Sequence, residues 1–174
     1  CIAVGMTNTV YRSLGPIYCR ALGFDATHTA WFMSASIISG VVLQYPLGYF
    51  SDRNGRRPAI LFATSGGFVA SLILLLFAGS NIWANVAGVF VLGGFSMPLY
   101  SLCSAHANDR AGPGQIAMIS AGLLFFWAAG AIIGPYLAAN LMGWFGAKAL
   151  FAFTAAVLAA FITYSLARVV QRPD

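Results

Sequence analysis

The sequence predicts an all-α, polytopic membrane protein with six transmembrane helices. Composition is the first reason. Hydrophobic residues fill 60% of the chain, charged residues only 7%, and mean hydropathy is +0.82. A soluble domain carries about 25% charged residues. The second reason is spacing. Six apolar runs, each near the ~20 residues a bilayer requires, alternate with short polar turns. A signal peptide would give one such run, not several. The third reason is the placement of charge. With six spans, the turn around Asp52, the turn around Asp109 and the C-terminal tail share one side. That side holds six of the nine basic residues: Arg53, Arg56, Arg57, Arg110, Arg168 and Arg172. Basic residues mark the cytoplasmic face, so both ends are expected in the cytoplasm. The net charge of +5 follows from this bias and gives no reason to invoke nucleic acid.

The first span covers about residues 1–22. The chain begins at Cys1, already inside an apolar run, and so reads as a piece of a longer protein. Gly5, Asn8, Arg12 and Gly15 fall at i, i+3, i+7 and i+10 and share one helical face. Arg12 lies in mid-span, where a charge is costly and usually functional. Pro16 is expected to kink the far end. Asp25 and Thr27 are N-cap candidates for the second span, residues 30–49. There Ser36, Gly40, Gln44 and Gly48 recur every four residues, a stripe that lets a neighbouring helix approach closely. Gln44 faces either the cavity or a neighbouring helix.

The third span, 58–78, is the most uniformly apolar and reads as lipid-facing. Gly79 to Asn81 forms a tight turn, followed by Trp83 as an interface anchor. The fourth span, 82–104, is kinked by Pro98 and made polar by Ser96, Tyr100, Ser101 and Ser104. Ser104, His106 and Asp109 crowd a helix end without the order or the elbow of a hydrolase, so no catalytic residue is assigned. The fifth span, 115–140, carries Gly130-x-x-x-Gly134-Pro135-x-x-Ala138, a small-residue packing face with a kink. The sixth span, 147–167, is again apolar. Cys1, Cys19 and Cys103 have no metal or redox spacing and read as small apolar residues, so neither a metal nor a cofactor is expected.

The densest charged run in the chain is Gly48-Tyr-Phe-Ser-Asp-Arg-Asn-Gly-Arg-Arg-Pro58. It joins the second and third spans. Gly55 supplies the positive φ of a sharp turn, and Pro58 suits the start of a helix. The run resembles motif A of the major facilitator superfamily, which follows roughly G-x-x-x-D-R-x-G-R-[RK] between the second and third helices of a six-helix half. The residues that carry the likeness are Gly48, Asp52, Arg53, Gly55, Arg56 and Arg57. The Gly130 to Ala138 segment resembles, imperfectly, motif C of the superfamily's antiporters, with Ala138 and Ala139 where that motif has glycines.

The resemblance implies one six-helix half of a twelve-helix secondary transporter, built as two inverted three-helix repeats. Short internal matches agree: Pro16-Ile-Tyr18 with Pro98-Leu-Tyr100, Pro46 with Pro135, and the Gly55 segment with the Gly146 segment. The implied function is transport of a small solute by alternating access, in a bacterial inner membrane, together with the missing six-helix half. In the family the motif A aspartate helps hold the two halves together. Helices one, two, four and five of each half build the cavity, and three and six face lipid. Motif A is usually better preserved in first halves of the family, whereas the start inside a helix and the short polar tail fit a second half. Candidate cavity residues are Asn8, Arg12, Gln44, Tyr100 and Phe126. Phe125, Phe126 and Trp127 lean towards efflux of amphipathic compounds, and Arg12 towards an anionic metabolite. The four aspartates lie in turns or the tail, so the carboxylate of any coupling proton or ion is expected in the missing half. A non-transporting membrane scaffold is the competing reading. An intramembrane enzyme would need paired titratable groups at membrane depth, where only Arg12 stands.

Overall fold

The computed structural model describes residues 1–77, 79, 81–112 and 114–171. Ser80, in the turn expected after the third span, lies outside the described residues, as do Ala78, Pro113 and Arg172 to Asp174 of the tail. The described chain is all helix: α1 (Ile2–Ala21), α2 (Ala26–Asn54), α3 (Arg56–Phe77), α4 (Ile82–Ser96), α5 (Leu99–Asn108), α6 (Ile116–Phe145) and α7 (Ala149–Gln171). Five segments are long and apolar enough to cross a membrane: α2, α3, α4 with α5, α6, and α7 from Ala149 to Ala167. The 20-residue α1 is long enough but more polar, because it holds Asn8, Arg12 and Arg20.

Local chemistry sets the helix ends. Asp25 caps α2 by accepting the His28 backbone N–H at 2.8 Å. Asn81 caps α4 through bonds from the Trp83 and Ala84 N–H groups. Gly55 ends α2 with φ 95° and Gly146 ends α6 with φ 83°, a region that favours glycine. As a result α2 has 29 residues and α6 has 30, both longer than their apolar runs, and Asp52 and Arg53 stand in the last turns of α2 rather than in a loop. Pro16, Pro46 and Pro135 lie inside continuous helices. Pro98 goes further than a kink and separates α4 from α5. It has no N–H for the Gly94 carbonyl, and the ladder resumes with Leu102 N–H to Pro98 O at 3.0 Å.

The bundle repeats its own packing. The closest partner of α1 is α6, and α2 packs equally closely on α4. Each unit's first helix thus grips the second helix of the other unit, as two inverted three-helix repeats require. Glycines make both joints. A Cβ on Gly5 would overlap the Trp127 carbonyl, and one on Gly130 the Ile2 carbonyl. At the other joint a Cβ on Gly93 would overlap the Ser36 carbonyl, and one on Gly40 the Met97 side chain. Small residues therefore set the helix separation.

Beside the apolar side that α3 leaves open through Phe62, Val69, Ile73, Leu76 and Phe77, α3 and α7 pack closely on each other. Ala59, Ala63, Gly67, Ala70 and Leu74 form a buried stripe on α3, and Gly67 meets Leu158 of α7. Buried hydroxyls on these helices are satisfied within their own turns. Thr64 donates to Ile60 O at 2.7 Å, Ser71 to Gly67 O at 2.9 Å and Thr154 to Leu150 O at 2.9 Å. One apolar cluster surrounds Tyr11, Tyr18, Phe32 and Phe151. A second surrounds Leu47, Ile60, Leu99 and Leu158, nearer the arginine-rich end.

Candidate functional site

At the arginine-rich end, α2 stops at Gly55 and α3 starts at Arg56, so Arg56 faces back along the turn it has just left. Its Nη1 donates to Asp52 Oδ1 and, at 3.2 Å, to Ser51 Oγ. Its Nε donates to Asp109 Oδ2 at 2.9 Å. Asp109 caps the C-terminus of α5. One guanidinium therefore ties the α2–α3 turn to the end of the fourth span. The bond to Asp109 is the main cause that raises the Arg56 pKa; partial burial lowers it, and the bond to Asp52 raises it further. The two carboxylates are more than half exposed. Exposed ion pairs contribute only about 0–1 kcal/mol, so this bridge fixes relative position more than it stabilises the fold.

The remaining motif residues flank the bridge. Arg53 sits 4.6 Å above the Tyr49 ring, a cation–π contact. Arg57 is half-buried at the start of α3, and Gly48 has open space where a Cβ would stand. The sequence places Asp109 in the second polar turn, near Ser104 and His106, and does not link it to Arg56. Its pairing with Arg56 spans 53 positions, and the one available signal was that both turns share a side.

The five candidate cavity residues do not gather at one point. Asn8 is buried on α1, and its Oδ1 has no hydrogen-bond partner among the described residues. Tyr100 is half-buried and meets Trp127 edge-on at 6.0 Å. Phe126 lines a groove of about 490 Å³ with Ile2, Met6, Phe161 and Tyr164, between α1, α6 and α7. Gln44 is exposed on α2, past the point where Ser36 and Gly40 meet α4. Arg12 is exposed, although Gly5, Asn8 and Gly15 are buried. At mid-depth a charge costs roughly 2.5–3.5 kcal/mol on the insertion scale. The described carboxylates, Asp25, Asp52 and Asp109, all sit at helix ends, and their side-chain partners are His28 and Arg56.

Of the packing residues, Gly40 serves the α2–α4 joint, and Gly130 and Gly134 serve the α1–α6 joint against Ile2 and Met6. Pro135 lies directly after that contact, inside α6. At the far end a buried polar contact joins two helices that sequence did not connect. Tyr18 of α1 donates its hydroxyl to Asn85 Oδ1 of α4 at 2.5 Å.

A Major Facilitator Superfamily profile matches residues 1–174, the whole chain. The chain belongs to the Major Facilitator Superfamily. Among its relatives is the uncharacterized MFS-type transporter YcaD of Salmonella typhi, 25% identical over the full chain. An MFS-type transporter of Yersinia enterocolitica is 26% identical, also over the full chain. An MFS-type transporter of Enterobacter sp. strain 638 is 27% identical over 99% of it. The chain spans 43–44% of the length of these relatives. A multi-pass, all-α bundle that covers less than half of each superfamily relative matches one half of such a transporter.

Proposed function

We propose that this chain is one six-helix half of a secondary transporter that moves a small solute across a bacterial inner membrane by alternating access. Both ends lie in the cytoplasm, as the arginine bias favours. The observation that carries the reading is the Arg56 bridge to Asp52 and Asp109. It ties the second span to the fourth within this half, so that the motif turn moves with its bundle as one body when the halves rock. Asp52 keeps an exposed carboxylate in the last turns of α2, open to a partner helix of the other half. Any coupling proton or ion would use a carboxylate outside this chain's spans.

Asp52→Asn tests this in the protein as encoded in full. Single cysteines placed at the two ends report accessibility from each side. The expected result is a shift towards the inward-facing state and at least ~10-fold less flux, with near-normal membrane abundance. Unchanged accessibility together with unchanged flux would reduce the motif to a topology signal.

Asn8, Arg12, Gln44, Tyr100 and Phe126 remain proposed contributors to the solute path. Exposed Phe125 and Phe126 favour an amphipathic solute and hence efflux. The open face of α1 favours an anion.

A further inference from the structure

We propose that the far half of α1 is an anion path, with Arg12 as the deep ligand and Arg20 at its mouth. The solute it selects carries a carboxylate or phosphate. This deepens the transport reading and rests on it. Between Ile2 and Met6, α1 is gripped by α6 through Gly130 and Gly134. Beyond that joint one strip of α1 is open: Arg12, Ser13, Pro16, Ile17 and Arg20 are all exposed. At about 100° per residue these five fall within a single arc of the helix. Arg12 and Arg20 are eight residues apart, about 12 Å along the axis at ~1.5 Å per residue. Both lie on the same strip, with a hydroxyl between them and no acidic residue anywhere on α1.

Two features set this strip apart from a lipid-facing surface. First, α2, α3 and α6 meet the hydropathy of a membrane span and α1 does not, and three of the five residues on its open strip, Arg12, Ser13 and Arg20, are polar. Second, the rest of α1 is tightly used. Tyr11, Leu14, Gly15 and Tyr18 are buried on the opposite side, so the helix has no freedom to turn Arg12 inwards. Arg12 stands about halfway along the 20 residues of α1. From there a guanidinium covers only part of the ~15 Å to either surface, so it needs its counter-charge at depth. Its planar fork matches carboxylate and phosphate oxygens two at a time, which chloride cannot reproduce.

The test is thermal unfolding of the full-length protein in detergent at constant ionic strength. Potassium phosphate, acetate and benzoate are titrated against potassium chloride. At least one of the three is expected to raise the melting temperature saturably. Arg12→Gln should abolish that shift, and Arg12→Lys, which keeps the charge, should weaken the midpoint about 10-fold. Arg20→Gln should weaken it about 2-fold. Absence of a saturable shift in the wild type overturns the proposal, as does an equal shift in Arg12→Gln. A wild type blind to all three anions, with Arg12→Gln melting lower by itself, would mean that a protein carboxylate neutralises Arg12, and also overturns it. The measurement reads binding without flux. Anion binding in a protein that moves no solute would refute the transport reading and leave the site standing.

Discussion

Tyr18 is fully buried and touches three other helices. Its hydroxyl reaches Asn85 of α4, while its ring lies 4.9 Å from Phe151 of α7 and 5.9 Å from Phe32 of α2. Asn85 spends its Nδ2 on Gly79 O and Asn81 O, so its Oδ1 depends on Tyr18. Tyr18→Phe keeps the packing and orphans that oxygen. Hydrogen bonds between membrane helices average about 0.6 kcal/mol and reach about 1.7. Because this one is short and buried, the expected loss is about 1 kcal/mol, read as a lower melting temperature in detergent. An unchanged melting temperature would show that water replaces the hydroxyl. The pair was only half legible in sequence. An asparagine inside an apolar run announces a need for partners, but nothing local names a tyrosine 67 positions away. Arg56 and Asp109 repeat the lesson, since motif spacing marks the arginine and leaves the aspartate unmarked.

Helices here are positioned by where small residues remove side chains. At the α1–α6 joint, Gly130→Val would place its branched Cβ against the Ile2 carbonyl, where no flexible atom can give way. Overpacking costs typically about 1–3 kcal/mol. The expected outcome is a clear drop in melting temperature and in folded protein recovered from membranes. Gly143→Ala, in open space near the end of α6, is the control and should change stability by less than about 0.5 kcal/mol. Equal behaviour of the two variants would mean that the joint is loose. The small-residue period was legible in both α2 and α6 because spacing fixes a face. The partner of that face was not, since periodicity carries no information about which helix approaches. Helix ends shifted for a related reason. Hydropathy marks where lipid stops, whereas Asp25, Gly55 and Gly146 mark where the backbone ladder stops.

At the scale of the molecule, the polar and apolar surfaces of the bundle divide unevenly. Val41, Val42, Tyr45 and Tyr49 of α2, and Met118, Phe125, Ile132 and Tyr136 of α6, are all exposed. Among the described residues these two helices carry the most exposed large apolar side chains. The all-α class was readable from composition and spacing, and the repeat was implied by the motif A resemblance and a few short internal matches, but the exposure of these faces emerges only from the packing. Alternating access needs a second body for the bundle to rock against. The chain spans less than half the length of its superfamily relatives. Residues 1–174 alone, reconstituted into liposomes, are therefore expected to give no solute flux above protein-free vesicles. Supplying a complementary six-helix half as a separate polypeptide should restore it. A counterflow assay with the anion that stabilises Arg12 would read both arms. Flux from residues 1–174 alone would show that the bundle forms its own pathway, and the rocking of two halves would then be the wrong description.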